Sequence, residues 1–148
     1  MRYAESKTGI MTAMADLEQK IRDDLSSARK HLEYSHAKAL KIDLDAELGE
    51  DELETLESFS SRFARYSDLV ISKYLRFLAR RQDPAFRGSV IDVLNLGEKY
   101  GWISDQEAWR RIRELRNVAA HEYESEDYKK LYKELIRLCA HLLSFKVQ

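Results

Sequence analysis

Apolar residues recur along the chain at helical steps. Met11, Met14, Leu17, Ile21, Leu25, Ala28, Leu32 and Ala39 mostly follow three- and four-residue intervals, which predicts a long amphipathic first helix. A second stripe, Leu56, Phe59, Phe63, Tyr66, Val70, Tyr74 and Phe77, predicts a helix from about Asp51 to Arg81. Pro84 stops it, because proline has no N–H to donate and clashes with the preceding turn. Leu53, Leu69, Ile71 and Leu78 widen this apolar surface, as suits a central helix. A shorter helix is expected from Ser89 to about Tyr100, with Gly101 as the residue that follows its C-terminus. Ser104-Asp105-Gln106-Glu107 fits a capping box that opens the next helix. A last helix, about Ser125 to Phe145, packs through Tyr128, Leu131, Leu135, Leu138, Cys139 and Leu142. The sum is one all-α domain over residues 1–148, a bundle of four long helices plus one short one.

Composition supports this reading. The chain has 148 residues, 44% hydrophobic and 34% charged, which suits one folded domain with a real core. Five glycines and one proline leave little material for a turn-rich β fold. The net charge of −1 hides an uneven distribution. Eight acidic residues and no basic one lie between Asp43 and Glu57, and the acids from Glu50 onward suit the start of the second helix. Arg76, Arg80, Arg81 and Arg87 stand against the single Asp83, and Arg110, Arg111, Arg113 and Arg116 form a second basic cluster. Bulk charge would not attract a polyanion, so nucleic-acid binding has to use such a local patch.

Cys139 is the lone cysteine, which excludes an internal disulfide; its place on an apolar stripe marks it as core. No run approaches the ~20 apolar residues of a membrane span. The stretch TGIMTAMA is too short and too interrupted for a signal peptide. A cytoplasmic protein with no membrane partner is expected. His31, His36 and His141 lack metal-ligand spacing, and no glycine-rich phosphate loop, catalytic carboxylate pair or zinc pattern is present. Neither a metal nor another cofactor is expected.

The chemistry concentrates in RNVAAHEY, residues 116 to 123. At 100° per residue, Ala108, Ile112, Leu115 and Ala119 share one face of the capped helix. Arg110, Arg113, Asn117 and His121 share the opposite one. Arg116 lies between the faces, about 140° from His121 on an ideal helix. A straight helix therefore does not bring Arg116 and His121 together. Either the helix unwinds near His121, or two chains assemble the site, as a twofold dimer would. The spacing R-x4-H-x-Y arises by chance in about one shuffle in fifty, so its placement after a capped helix adds more than the pattern itself.

The helix order, RNVAAHEY and the downstream YESEDYKKLYKEL together resemble a HEPN domain, in particular the HepT-like toxins with their R-x4-H-x-Y signature. The resemblance spans most of the chain and is clearest from the second helix onward. Asn117 matches the polar residue that family favours after the arginine. The resemblance implies a homodimeric helical bundle with metal-independent endoribonuclease activity. It also implies an MNT-type nucleotidyltransferase antitoxin that AMPylates the motif tyrosine, here Tyr123, with Tyr128 as the fallback acceptor.

The residue types suit that reaction. RNA supplies its own nucleophile, the 2′-hydroxyl, so cleavage needs proton transfer and charge stabilisation. His121 can carry the proton. Arg116, a permanent planar cation, can grip the phosphate. Asn117 can orient either group, while Arg110 and Arg113 suit RNA binding, with Arg113 the substitute for Arg116. The alternative is a non-catalytic HEPN module that binds substrate for a nucleotidyltransferase, since such modules carry similar RN-x3-H-x-Y sequences. A solvated helix end, its histidine serving the dipole, is the bland reading of the same residues; a third, a purely structural helical dimer, leaves the polar stripe unexplained.

Overall fold

The computed structural model describes residues 2–116 and 128–148. Among them every regular element is helical. Helix α1 spans Arg2–Ala39, α2 spans Glu50–Asp68, a π-helical segment follows at Leu69–Leu75, and α3 spans Arg76–Gln82. Helices α4 (Val90–Lys99), α5 (Gln106–Leu115) and α6 (Tyr128–Leu143) complete the chain. No helix of the described residues is long and apolar enough to cross a membrane.

Helix α1 runs antiparallel to the α2–π–α3 rod. The register follows from polar ties that step down both helices. Arg62 donates to Ser35 Oγ at 2.7 Å, Arg29 to the Tyr66 hydroxyl at 3.4 Å and Arg81 to Glu18 at 3.3 Å. Along these helices, Leu25, Ala28 and Leu32 share one core with Leu56, Phe59, Phe63 and Val70. The predicted central helix is thus one continuous rod from Glu50 to Gln82. Asp83 is extended at φ −140°, as the residue before a proline must be.

The π-helical segment was not expected from the apolar spacing. It opens where Leu69 N–H is shared between the carbonyls of Arg65 and Tyr66. A π turn holds more residues than an α turn. Neighbours in sequence, Val70 with Ile71 and Tyr74 with Leu75, can therefore all be buried on one side. This is the physical reason for the widened apolar surface.

The acidic segment ahead of α2 has a structural role. Glu52 reaches back to accept from Gly49 N–H at 3.2 Å, and Glu50, Asp51 and Glu52 occupy the first turn, where the dipole favours negative charge. Lys133 bonds Asp45 at 2.6 Å and Lys129 bonds the Ala46 carbonyl at 2.8 Å, which ties the loop to α6.

Ser89 caps α4 in a reciprocal capping box with Asp92, and Gly101 has φ +74°, the left-handed conformation expected after a helix end. The capping box expected at Ser104 is not formed. Asp105 is the N-cap instead, at φ 58°, its carboxylate accepting from Ala108 N–H at 3.2 Å. Aspartate tolerates this left-handed backbone better than most residues because its short side chain bonds locally. Ser104 contributes its carbonyl to His141 Nε2, 3.2 Å away. The expected start of the last helix at Ser125 lies outside the described residues. Its far end stops at Leu143, and Phe145 tucks back into the core.

Candidate functional site

Helix α5 is seated by Trp109, Ile112 and Leu115, all 2% exposed or less. Trp109 was absent from the expected apolar face, and it changes that face. Its ring meets those of His141 and Phe145 edge-on at 5.8 Å each. Taking Ile112 as the centre, Trp109 lies about 60° to one side, Arg116 about 40° to the same side and Arg113 about 100°. The buried face therefore extends over Arg116, while Ala108 is only half-buried. Arg110 and Arg113, expected on a solvent-facing stripe, are also half-buried.

Arg116 and Arg113 converge on one carboxylate. Arg116 Nη1 donates to Asp68 Oδ1 in a short ion pair, and Arg113 Nη1 lies 3.9 Å from the same oxygen. The arginine side chains are 20% and 29% exposed, that of Asp68 41%, so water reaches the cluster from the carboxylate's side. Two guanidinium groups against one carboxylate leave a surplus positive charge beside the end of α5. Arg116 Nε is buried and, among the described residues, has no hydrogen-bond partner; the same is true of Arg110 Nε. Such a donor is costly unless something accepts from it. Arg116 is also the C-cap residue of α5, its N–H bonded to the Ile112 carbonyl at 3.2 Å. Asn117, His121 and Tyr123 lie outside the described residues.

Arg111, from the same cluster in sequence, faces another way. It grips Glu134 of α6 through two bonds of 2.6 and 2.9 Å and Glu114 at 3.1 Å. These bonds hold the Glu134 carboxyl below the usual carboxylate range. Arg111 thus fastens α5 to α6. Arg76 and Arg87, from the other basic cluster, are likewise engaged: Arg76 donates to the Gly88 carbonyl at 2.9 Å and Arg87 to the Phe86 carbonyl at 2.9 Å.

Two histidines and the cysteine make structural contacts. His36 Nε2 meets the Ile136 carbonyl at 3.1 Å, as His141 Nε2 meets that of Ser104. Cys139 is fully buried, and burial pushes its thiol up to about 12, so it is protonated at neutral pH and no nucleophile. Among the described residues no group of three or more His, Cys, Asp or Glu side chains is arranged to hold a metal. Tyr128 is half-buried at the start of α6 and packs against the core.

Asp68 belongs to no motif, yet its place in the sequence carries a signal. It is the one acidic residue between Glu57 and Asp83, a stretch that carries six basic ones. An acid so isolated on an apolar rod needs a cationic partner when partly buried. In comparisons with protein-family models, curated proteins and solved structures, nothing matches this chain.

Proposed function

We propose that this chain is a HEPN-like ribonuclease toxin, a dimeric four-helix bundle with one added short helix, that cleaves RNA without a metal. One observation carries the proposal. The R-x4-H-x-Y motif begins at Arg116, where two cations gather on Asp68 at the end of a firmly seated helix.

In the proposed reaction the 2′-hydroxyl attacks the adjacent phosphorus. The P–O5′ bond breaks, leaving a 2′,3′-cyclic phosphate on one fragment and a 5′-hydroxyl on the other. One His121 takes the proton of the 2′-hydroxyl, and the partner subunit's His121 returns one to the leaving 5′-oxygen. Arg116 stabilises the extra charge on the phosphate. Asp68 occupies one end of the Arg116 guanidinium and holds its plane, leaving further N–H donors to meet phosphate oxygens. Arg113 and Arg110 contribute to RNA affinity, and Asn117 orients either reacting group.

The second reading is a non-catalytic module that binds substrate for a nucleotidyltransferase. The Asp68–Arg116 pair favours it, because a carboxylate against Arg116 offsets part of the charge that catalysis would use. Growth arrest on expression of the chain alone, relieved by His121→Ala, is expected for the toxin. Unimpeded growth with well-expressed folded protein would sink that reading and leave the module.

Regulation follows from Tyr123. A phenol with a pKa near 10 is a poor proton carrier at neutral pH, so the motif tyrosine suits a different task. AMP added there places an anionic phosphodiester near Arg116 and a nucleoside where RNA binds, opposing substrate by charge and by bulk. With a partner nucleotidyltransferase and ATP, Tyr123→Phe is expected to remain unmodified in intact-mass spectrometry. Modification of that variant at the wild-type level would place the acceptor elsewhere, Tyr128 first.

A further inference from the structure

The apolar stripe of α1 does not stop where its neighbours do. Ile21, Leu25, Ala28 and Leu32 are at most 7% exposed. Ile10 and Met14 lie within about 60° of all of them around the same helix, and Leu17 within about 80°. Yet these three are 58%, 39% and 50% exposed, Met11 beside them is 65% exposed, and every residue from 7 to 17 is exposed. The cause is the register with the second rod. Arg81 reaches Glu18, and α3 ends at Gln82. About thirteen residues of α1 therefore extend roughly 20 Å beyond the rod that covers the rest of its stripe.

We propose that this overhang is an interface with a second copy of the chain, two α1 helices lying antiparallel about a twofold axis between Thr12 and Ala13. The charge pattern selects this occupant and this direction. In that arrangement Met11 faces Met14 of the partner subunit, and Lys7 faces Glu18 of the partner subunit. Lys7 and Glu18 lie about 20° apart on the same flank of the stripe, and like flanks meet in an antiparallel pair. A parallel twofold pair sets unlike flanks together, so Lys7 would not meet Glu18 there. Glu18 can accept the contact: its bonds from Arg22 and Arg81 all fall on Oε1, none on Oε2. A stable interface needs about 800 Å² from each partner. One helix face some 20 Å long offers less, so the association is weak and reversible.

This interface is separate from the composite cleft proposed for Arg116 and His121, and it stands without the nuclease reading. Asp68 lies level with the C-terminal half of α1, since Tyr66 meets Arg29. That is roughly 24 Å along the helix from the proposed axis. Two copies joined through α1 therefore hold their Arg116 side chains far apart.

Sedimentation velocity of the full chain, from about 5 to 500 µM, tests the proposal. Wild type is expected to show a reversible doubling in mass with concentration, from monomer to dimer or, where the cleft already pairs two chains, from dimer to larger species. Met14→Lys is expected to weaken this association at least tenfold with an unchanged circular dichroism spectrum, because the side chain faces water in the monomer. Met11→Glu combined with Met14→Lys is expected to restore the association, since the antiparallel register sets position 11 against position 14. A double variant that associates as weakly as Met14→Lys would overturn that register. Wild type of constant mass throughout, whether or not vesicles or another protein then bind this face, would overturn the proposal. A dimer indifferent to Met14→Lys but lost on Arg113→Glu would overturn it as well.

Discussion

His121→Ala is expected to lose about 10²–10⁴-fold in RNA cleavage rate, the usual cost of removing a proton-transfer group. Arg116→Ala is expected to lose about 10²–10³-fold, the cost of a donor that stabilises transition-state charge. Both losses should fall on kcat. Arg113→Ala is expected to act differently. Its guanidinium stands 3.9 Å from Asp68 and is the more exposed of the two, as suits a group that attracts the polyanion. Its loss should raise KM and flatten the salt dependence while leaving kcat within a few fold. The folding cost of Arg116→Ala should be small, about 1 kcal/mol, because the Asp68 carboxylate left behind is open to water. Single-turnover kinetics with a labelled RNA separate these effects. An Arg113→Ala variant losing as much kcat as Arg116→Ala would exchange their roles.

Trp109→Ala should produce the largest change in stability. The indole is 2% exposed and wedged between His141 and Phe145. Truncating so large a buried ring typically costs about 3–5 kcal/mol, the spread reflecting how far the cavity collapses. Trp109 also sets the roll of α5, which carries Arg113 and Arg116 to Asp68. The variant should therefore lose activity at denaturant concentrations where wild type stays folded. Urea unfolding followed by circular dichroism measures the shift, and Trp109→Phe, which keeps an edge-on ring, should recover most of it. A midpoint shift below about 1 kcal/mol for Trp109→Ala would show that α5 is held mainly by Arg111 and its two glutamates.

How much of this was legible in the sequence depends on the range of the interaction. Helix existence rests on local periodicity, and the spacings of Phe59, Phe63 and Tyr66, or of Leu135, Leu138 and Leu142, located their helices well. The end before Pro84 and the turn at Gly101 follow from single-residue backbone chemistry. The start of α5 was misplaced by one residue. Ser104 and Asp105 are both good caps, and the choice fell to Asp105, with its left-handed backbone, while Ser104 gives its carbonyl to His141. That contact spans 37 residues and leaves no local trace.

The same distinction governs the candidate site. Arg116 stood out because of the motif, but its partner Asp68 lies 48 residues away. Trp109 lies off an apolar face centred on Ala108 and Ile112, and only the packing of α6 and the chain after it shows which edge is covered. The exposed stripe at Ile10 and Met14 could not be told from core by periodicity alone. Its exposure depends on where α3 ends, which is a matter of register between two helices.

The central claim, a metal-independent ribonuclease built on Arg116 and His121, is tested most directly by the ends of its products. A defined RNA incubated with the purified chain in excess EDTA is analysed by mass spectrometry, beside His121→Ala at the same concentration. The expected result is fragments ending in 2′,3′-cyclic phosphate with matching 5′-hydroxyl ends from wild type, and intact RNA from His121→Ala. Equal cleavage by the two proteins, or cleavage by wild type that EDTA abolishes, would contradict it.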